Sequence, residues 1–154
     1  MPDTKLSKGE ELEGMKIYDF RYILLMLGLL CALTACEHSV TLAPGRLDPT
    51  LTNVQATILN PKCATSGCHV PGGTGPMPLR TTNESFANLV GVASIQKTNL
   101  NRVQPGDPDN SYIVRKLEGG PDITGQRMPL GGSRLTDTEI DLVREWIANG
   151  ALNN

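Results

Sequence analysis

The run Cys63-Ala64-Thr65-Ser66-Gly67-Cys68-His69 sets two thiols and an imidazole side by side. Three chemistries are open to it. The thiols can close a Cys63–Cys68 disulfide, with the histidine incidental. They can contribute to a zinc site, although the fourth ligand and the paired spacing of such sites are missing. Or each sulfur can add across one vinyl group of a haem, with the histidine directly after the second cysteine held beneath the iron as an axial ligand. Only the last uses the order of the residues as well as their types. An iron held in that way needs a sixth ligand or an open position. Behind the leader described below, the chain offers His38, Met77 and Met128 for it.

CATSGCH resembles the haem-binding signature of c-type cytochromes. Four residues separate the cysteines where that signature usually has two, and Gly67 lets the longer loop fold back. From Ile58 to Ala151, the pieces ILNPKCATSGCH, PGDPDNSYIVRKL, RMPLGG and LTDTEIDLVREWIANGA together resemble a group of bacterial cytochrome c domains found in exported proteins. The resemblance implies an all-α, small cytochrome c-like helical domain with long irregular loops, wrapped around one covalent haem c. It implies Cys63 and Cys68 as attachment points and His69 as an iron ligand. Met128, in the irregular run Gly125–Gly132 and 59 residues beyond His69, corresponds in order to the methionine loop of small cytochromes c. Met77 is only eight residues from His69, too little chain to round the macrocycle with ease. Pro76 resembles the position whose backbone carbonyl accepts from the histidine's other ring nitrogen, fixing the tautomer and leaving the remaining nitrogen for iron.

The elements that must position these residues follow from length and patterning. The chain of 154 residues has room for one domain and a targeting segment, and its formal charge of −2 argues against a nucleic-acid footprint. Tyr22–Leu33 is apolar but short for a membrane span and suits the core of an export signal. Leu33-Thr34-Ala35-Cys36 resembles a bacterial lipobox, which implies lipid on Cys36; a plain hydrophobic anchor is the alternative. Residues 1–14 are acidic where a signal should be basic, so Met15 reads as the start, with 15–35 the signal, 36–47 a lipidated tether containing His38, and 48–154 the domain. Cys31 then leaves with the leader, and only Cys63 and Cys68 remain in an oxidising compartment. The expected location is a bacterial membrane, facing the periplasm or cell exterior.

Asp48-Pro49 is expected to open a helix with Leu51, Val54, Ile58 and Leu59 on one side, ended by Asn60-Pro61. Asn83 is expected to cap a short helix carrying Phe86, Leu89 and Val90, with Gly91 as its stop. Tyr112, Ile113, Lys116 and Leu117 recur at helical spacing after a Pro-Gly turn and read as core. Thr136 and Glu139 form a capping box for a last helix with Ile140, Val143, Trp146 and Ile147 on one face, expected to cross the first. Behind Cys36 the aromatics are Phe86, Tyr112 and Trp146, thin for a small domain unless a prosthetic group adds apolar bulk.

Histidine and thioether ligation would leave no position for substrate. The expectation is therefore a membrane-anchored electron carrier, not an enzyme, that exchanges single electrons with redox partner proteins or a membrane complex. Arg102, Arg115, Arg127 and Arg134 are candidate partners for haem carboxylates. Two other functions stay open: a haem enzyme such as a peroxidase, if Met128 is displaced, and a non-haem exported lipoprotein closed by a Cys63–Cys68 disulfide, acting as a binding or scaffold module.

Overall fold

Thr50 turns the chain into its first helix. In the computed structural model, which describes residues 45–154, the Thr50 side chain accepts from the Asn53 amide at 3.2 Å and caps α1, Leu51–Val54. The signal region, the lipobox with Cys36, and His38 lie outside the described residues. The expected cap, Asp48, stands two residues too early: its backbone carbonyl accepts from the Thr50 amide (2.8 Å) and the Asn53 side chain (2.9 Å), forming the turn before the helix.

The helix does not end at Asn60-Pro61 as expected. It runs on from α1 as a π-helical segment, Gln55–Cys63, with Pro61 inside it. Proline lacks the amide and its ring collides with the carbonyl four residues back in an α-helix; the wider winding relieves that collision and carries the chain past it. The turn closes with the Ala64 amide bonded to the Leu59 carbonyl at 2.7 Å. The wide segment thus delivers Cys63 from a continuous helix.

Three further helices follow. α2, Thr82–Leu89, is capped by Thr81, whose hydroxyl accepts from the Glu84 amide at 3.2 Å, while Asn83, the expected cap, sits inside the first turn. α3 spans Tyr112–Glu118 and α4 spans Asp137–Ala148. α4 carries the expected capping box, with Thr136 and Glu139 bonded reciprocally. No strand forms among the described residues; isolated bridges such as Val90 to Val103 tie the loops. The domain is all-α.

α4 packs on both α1 and α3, as the sequence led us to expect for the first and last helices. Leu51, Val54, Ile58, Val114, Leu117, Ile140, Val143, Trp146 and Ile147 form the shared core. Trp146 is 1 % exposed, and its indole N–H donates to the Leu152 carbonyl at 2.9 Å. One buried polar side chain links the π segment to its neighbours: Gln55 donates to the Leu79 carbonyl (2.8 Å) and accepts from the Ser85 hydroxyl (2.7 Å). No helix among the described residues is long and apolar enough to cross a membrane.

A candidate cofactor cleft lined by histidine and methionine

Cys63 leaves the π segment at the edge of the core, and the chain then turns back on itself. The His69 amide bonds to the Cys63 carbonyl (3.2 Å) and the Cys68 amide to the Thr65 carbonyl (3.0 Å), closing the loop between the cysteines. Gly67 sits there at a φ of +79°, a left-handed conformation that glycine takes without a Cβ penalty. Both cysteines are free thiols, half-buried. Burial pushes the Cys63 thiol up to about 11; the neighbouring Cys68 adds to the rise and Lys62 opposes it.

The loop after the histidine is folded tightly against its ring. His69 Nδ1 lies 3.1 Å from the Met77 carbonyl oxygen, so Nδ1–H donates and Nε2 is left with its lone pair. The carbonyl is therefore that of Met77, one residue beyond the expected Pro76. Two glycines allow this approach. A Cβ on Gly75 would stand 2.5 Å from His69 Nδ1, and one on Gly73 would overlap the Cys68 carbonyl oxygen. The His69 carbonyl in turn accepts from the Leu79 amide at 2.9 Å.

His69, Cys63, Pro76, Met77 and Met128 all line one open-sided cleft, whose empty volume including its mouth is about 740 Å³. Leu59, Leu79, Leu89, Ile113 and Leu117 supply apolar walls from all of the first three helices and the loops between them. Cys68 is not part of the lining; it is held beside the cleft by its bonds to the loop. Met128, half-buried, packs against the core, and its amide donates to the Lys116 carbonyl at 2.8 Å.

Of the four arginines named from the sequence, only Arg102 reaches the lining, where it donates to the Asn88 carbonyl at 2.7 Å. Arg127 bonds the carbonyls of Met128 and Gly132, Arg115 that of Asp109, and Arg134 pairs with Asp137. Tyr112 and Lys116, read from sequence as core alone, also line the cleft. Their separation of one helical turn could have flagged them as a polar pair on one face. Among the described residues no group of three or more His, Cys, Asp or Glu side chains is placed to hold a metal ion.

No protein-family model, curated protein or solved structure matches this chain.

Proposed function

We propose that this protein is a monohaem c-type cytochrome, anchored to a bacterial membrane through Cys36, that carries single electrons between redox partners outside the cytoplasmic membrane. The observation that carries the reading is the convergence of His69 and Met128 on one apolar cleft, with His69 Nδ1–H already committed to the Met77 carbonyl.

The residues suit a haem on their chemistry. An apolar, open-sided cleft accepts a flat macrocycle and leaves an edge toward solvent. Cys63 stands in its wall and Cys68 precedes the histidine, the order that two thioether attachments require. Haem c, when bound, supplies an iron that takes up and returns one electron. The chain's part is to hold and to exclude. His69 would offer Nε2 to the metal, and the hydrogen bond from Nδ1–H to Met77 fixes the ring and strengthens the donor. Met128 would offer a soft thioether, which favours the reduced state and raises the potential. Leu59, Leu79, Leu89 and Leu117, which line the cleft, would keep water from the ligands.

Were His69 and Met128 both to hold the iron, no place would remain for a substrate, which favours a carrier over a peroxidase. Lipid on Cys36 would confine its encounters to a membrane surface and raise the local concentration of membrane partners.

Potentiometric titration of the protein matured in a host with haem-attachment machinery tests the role. A single reversible one-electron wave, with no binding of added cyanide or carbon monoxide under mild conditions, is the expected result. Rapid binding of such ligands would place the protein among haem enzymes or sensors instead.

A further inference from the structure

The loop that carries Met128 is held by one face of α3. The Tyr112 hydroxyl accepts from the Thr124 amide at 2.9 Å and donates to Gln96 Oε1 at 3.2 Å. One turn later, Lys116 Nζ donates to the carbonyls of Thr124 (3.0 Å) and Gln126 (2.5 Å), while the Lys116 backbone carbonyl accepts from the Met128 amide (2.8 Å). Every second residue from 124 to 128 is thereby tied to the same helical turn.

The lysine at the centre of this arrangement is unusual for its surroundings. It is 8 % exposed, lines the cleft, and has no carboxylate partner among the described residues; Lys97, Arg102, Arg115 and Arg127 also lack one, but each of them is only half-buried. A buried ammonium without hydrogen-bond partners is strongly disfavoured, so Nζ depends on the two loop carbonyls. Those carbonyls converge on Nζ only in this loop conformation. The ammonium and the loop therefore stabilise each other.

We infer that Lys116 is a positioning residue for Met128: its side chain clamps the loop and its main chain sets the methionine against the cleft. The clamp stands on the hydrogen bonds alone, while its consequence for iron ligation rests on the function proposed above.

Lys116→Met tests it, since the stem length and apolar bulk stay while charge and donors go. Amide hydrogen exchange at Thr124 and Met128, the two hydrogen-bonded amides of residues 124–128, should quicken at least tenfold, with exchange over Ile140–Ile147 in α4 unchanged. In the haem-loaded protein the charge-transfer band of the thioether–iron bond should weaken while the Soret band persists, and Lys116→Arg should recover part of both losses. Tyr112→Phe is the gentler second variant and should quicken exchange chiefly at Thr124. Unchanged protection of residues 124–128 in Lys116→Met would overturn the inference, as would an equal loss of protection in α4, which would mark Lys116 as ordinary packing. A colourless protein whose loop loosened in Lys116→Met would uphold the clamp while overturning the iron-ligand role.

Discussion

The orientation of one imidazole ring depends on atoms that a sequence motif does not contain. His69 is set by the Met77 carbonyl and by the absence of side chains at Gly73 and Gly75. Gly75→Ala would force a methyl group to within 2.5 Å of Nδ1 and 2.8 Å of Cε1. Such overpacking costs ~1–3 kcal/mol, and here it also displaces the ring. We expect a lowered denaturation midpoint together with a disturbed iron-ligand spectrum, whereas Gly72→Ala, whose Cβ meets nothing within 4 Å, costs stability only through its left-handed φ of +76° and should leave the ring alone. Met128→Ala should keep the haem and lower the potential by at least ~59 mV, a tenfold shift in a one-electron equilibrium; an unchanged potential would exclude Met128 as ligand. The Cys63 thiol, pushed up to about 11 by burial, should resist alkylation near pH 8 in haem-free chain far more than a thiol in water. Mass mapping of iodoacetamide-labelled peptides checks this.

At the scale of elements, the last helix is fastened at its first turn. Burial pushes the Glu139 carboxyl up, but Lys62, the Thr136 amide and the Thr136 hydroxyl outweigh burial and hold it below its ordinary 4.5. A carboxyl depressed on folding contributes stability in full above its unfolded value, and that contribution drains away as pH falls through the folded value. The loss therefore begins near pH 4.5 and continues below it. Glu139→Gln should be less stable than the parent at neutral pH and show a shallower acid transition, as read by circular dichroism across pH. Thr136→Ala should cost about 1 kcal/mol through the lost cap.

This capping box was legible in the sequence because its signal is local: a threonine, a glutamate three residues on, and an apolar face behind them. The first helix was legible in its buried stripe but not in its ends. Asp48 and Thr50 are both capping residues, and the choice between them is made by what the Asp48 carbonyl bonds. Pro61 reads as a stop only if the helix must stay α; π winding is decided by packing, which leaves no local mark. Thr81 with Glu84 carried the correct start of α2, overshadowed by Asn83. Lys116 was read as core since its spacing matched, and nothing in the sequence announces that its ammonium turns to two carbonyls of a loop eight and ten residues away.

Taken whole, the domain joins α1, α3 and α4 in one aromatic-poor core and leaves a cleft beside it instead of closing over it. Trp146 is buried in the core and is not part of the cleft lining, while leucines, two methionines and a half-buried Phe86 serve the rest of the core and its margin. A chain of this size gains from an apolar group in that cleft, since it would cover the exposed Ile95 and the half-buried Met77, Ile113 and Met128. The matured protein should therefore be considerably more heat-stable than chain produced without haem-attachment machinery, measured by calorimetry on both.

The central claim is that a haem is covalently joined through Cys63 and Cys68, and intact mass spectrometry with a pyridine haemochrome spectrum tests it most directly. One haem per chain should survive acid extraction, and the doubly attached haemochrome spectrum should be lost in Cys63→Ser and Cys68→Ser. A colourless protein from a competent host, two mass units lighter than the reduced chain because Cys63 and Cys68 are bridged to each other, would contradict it.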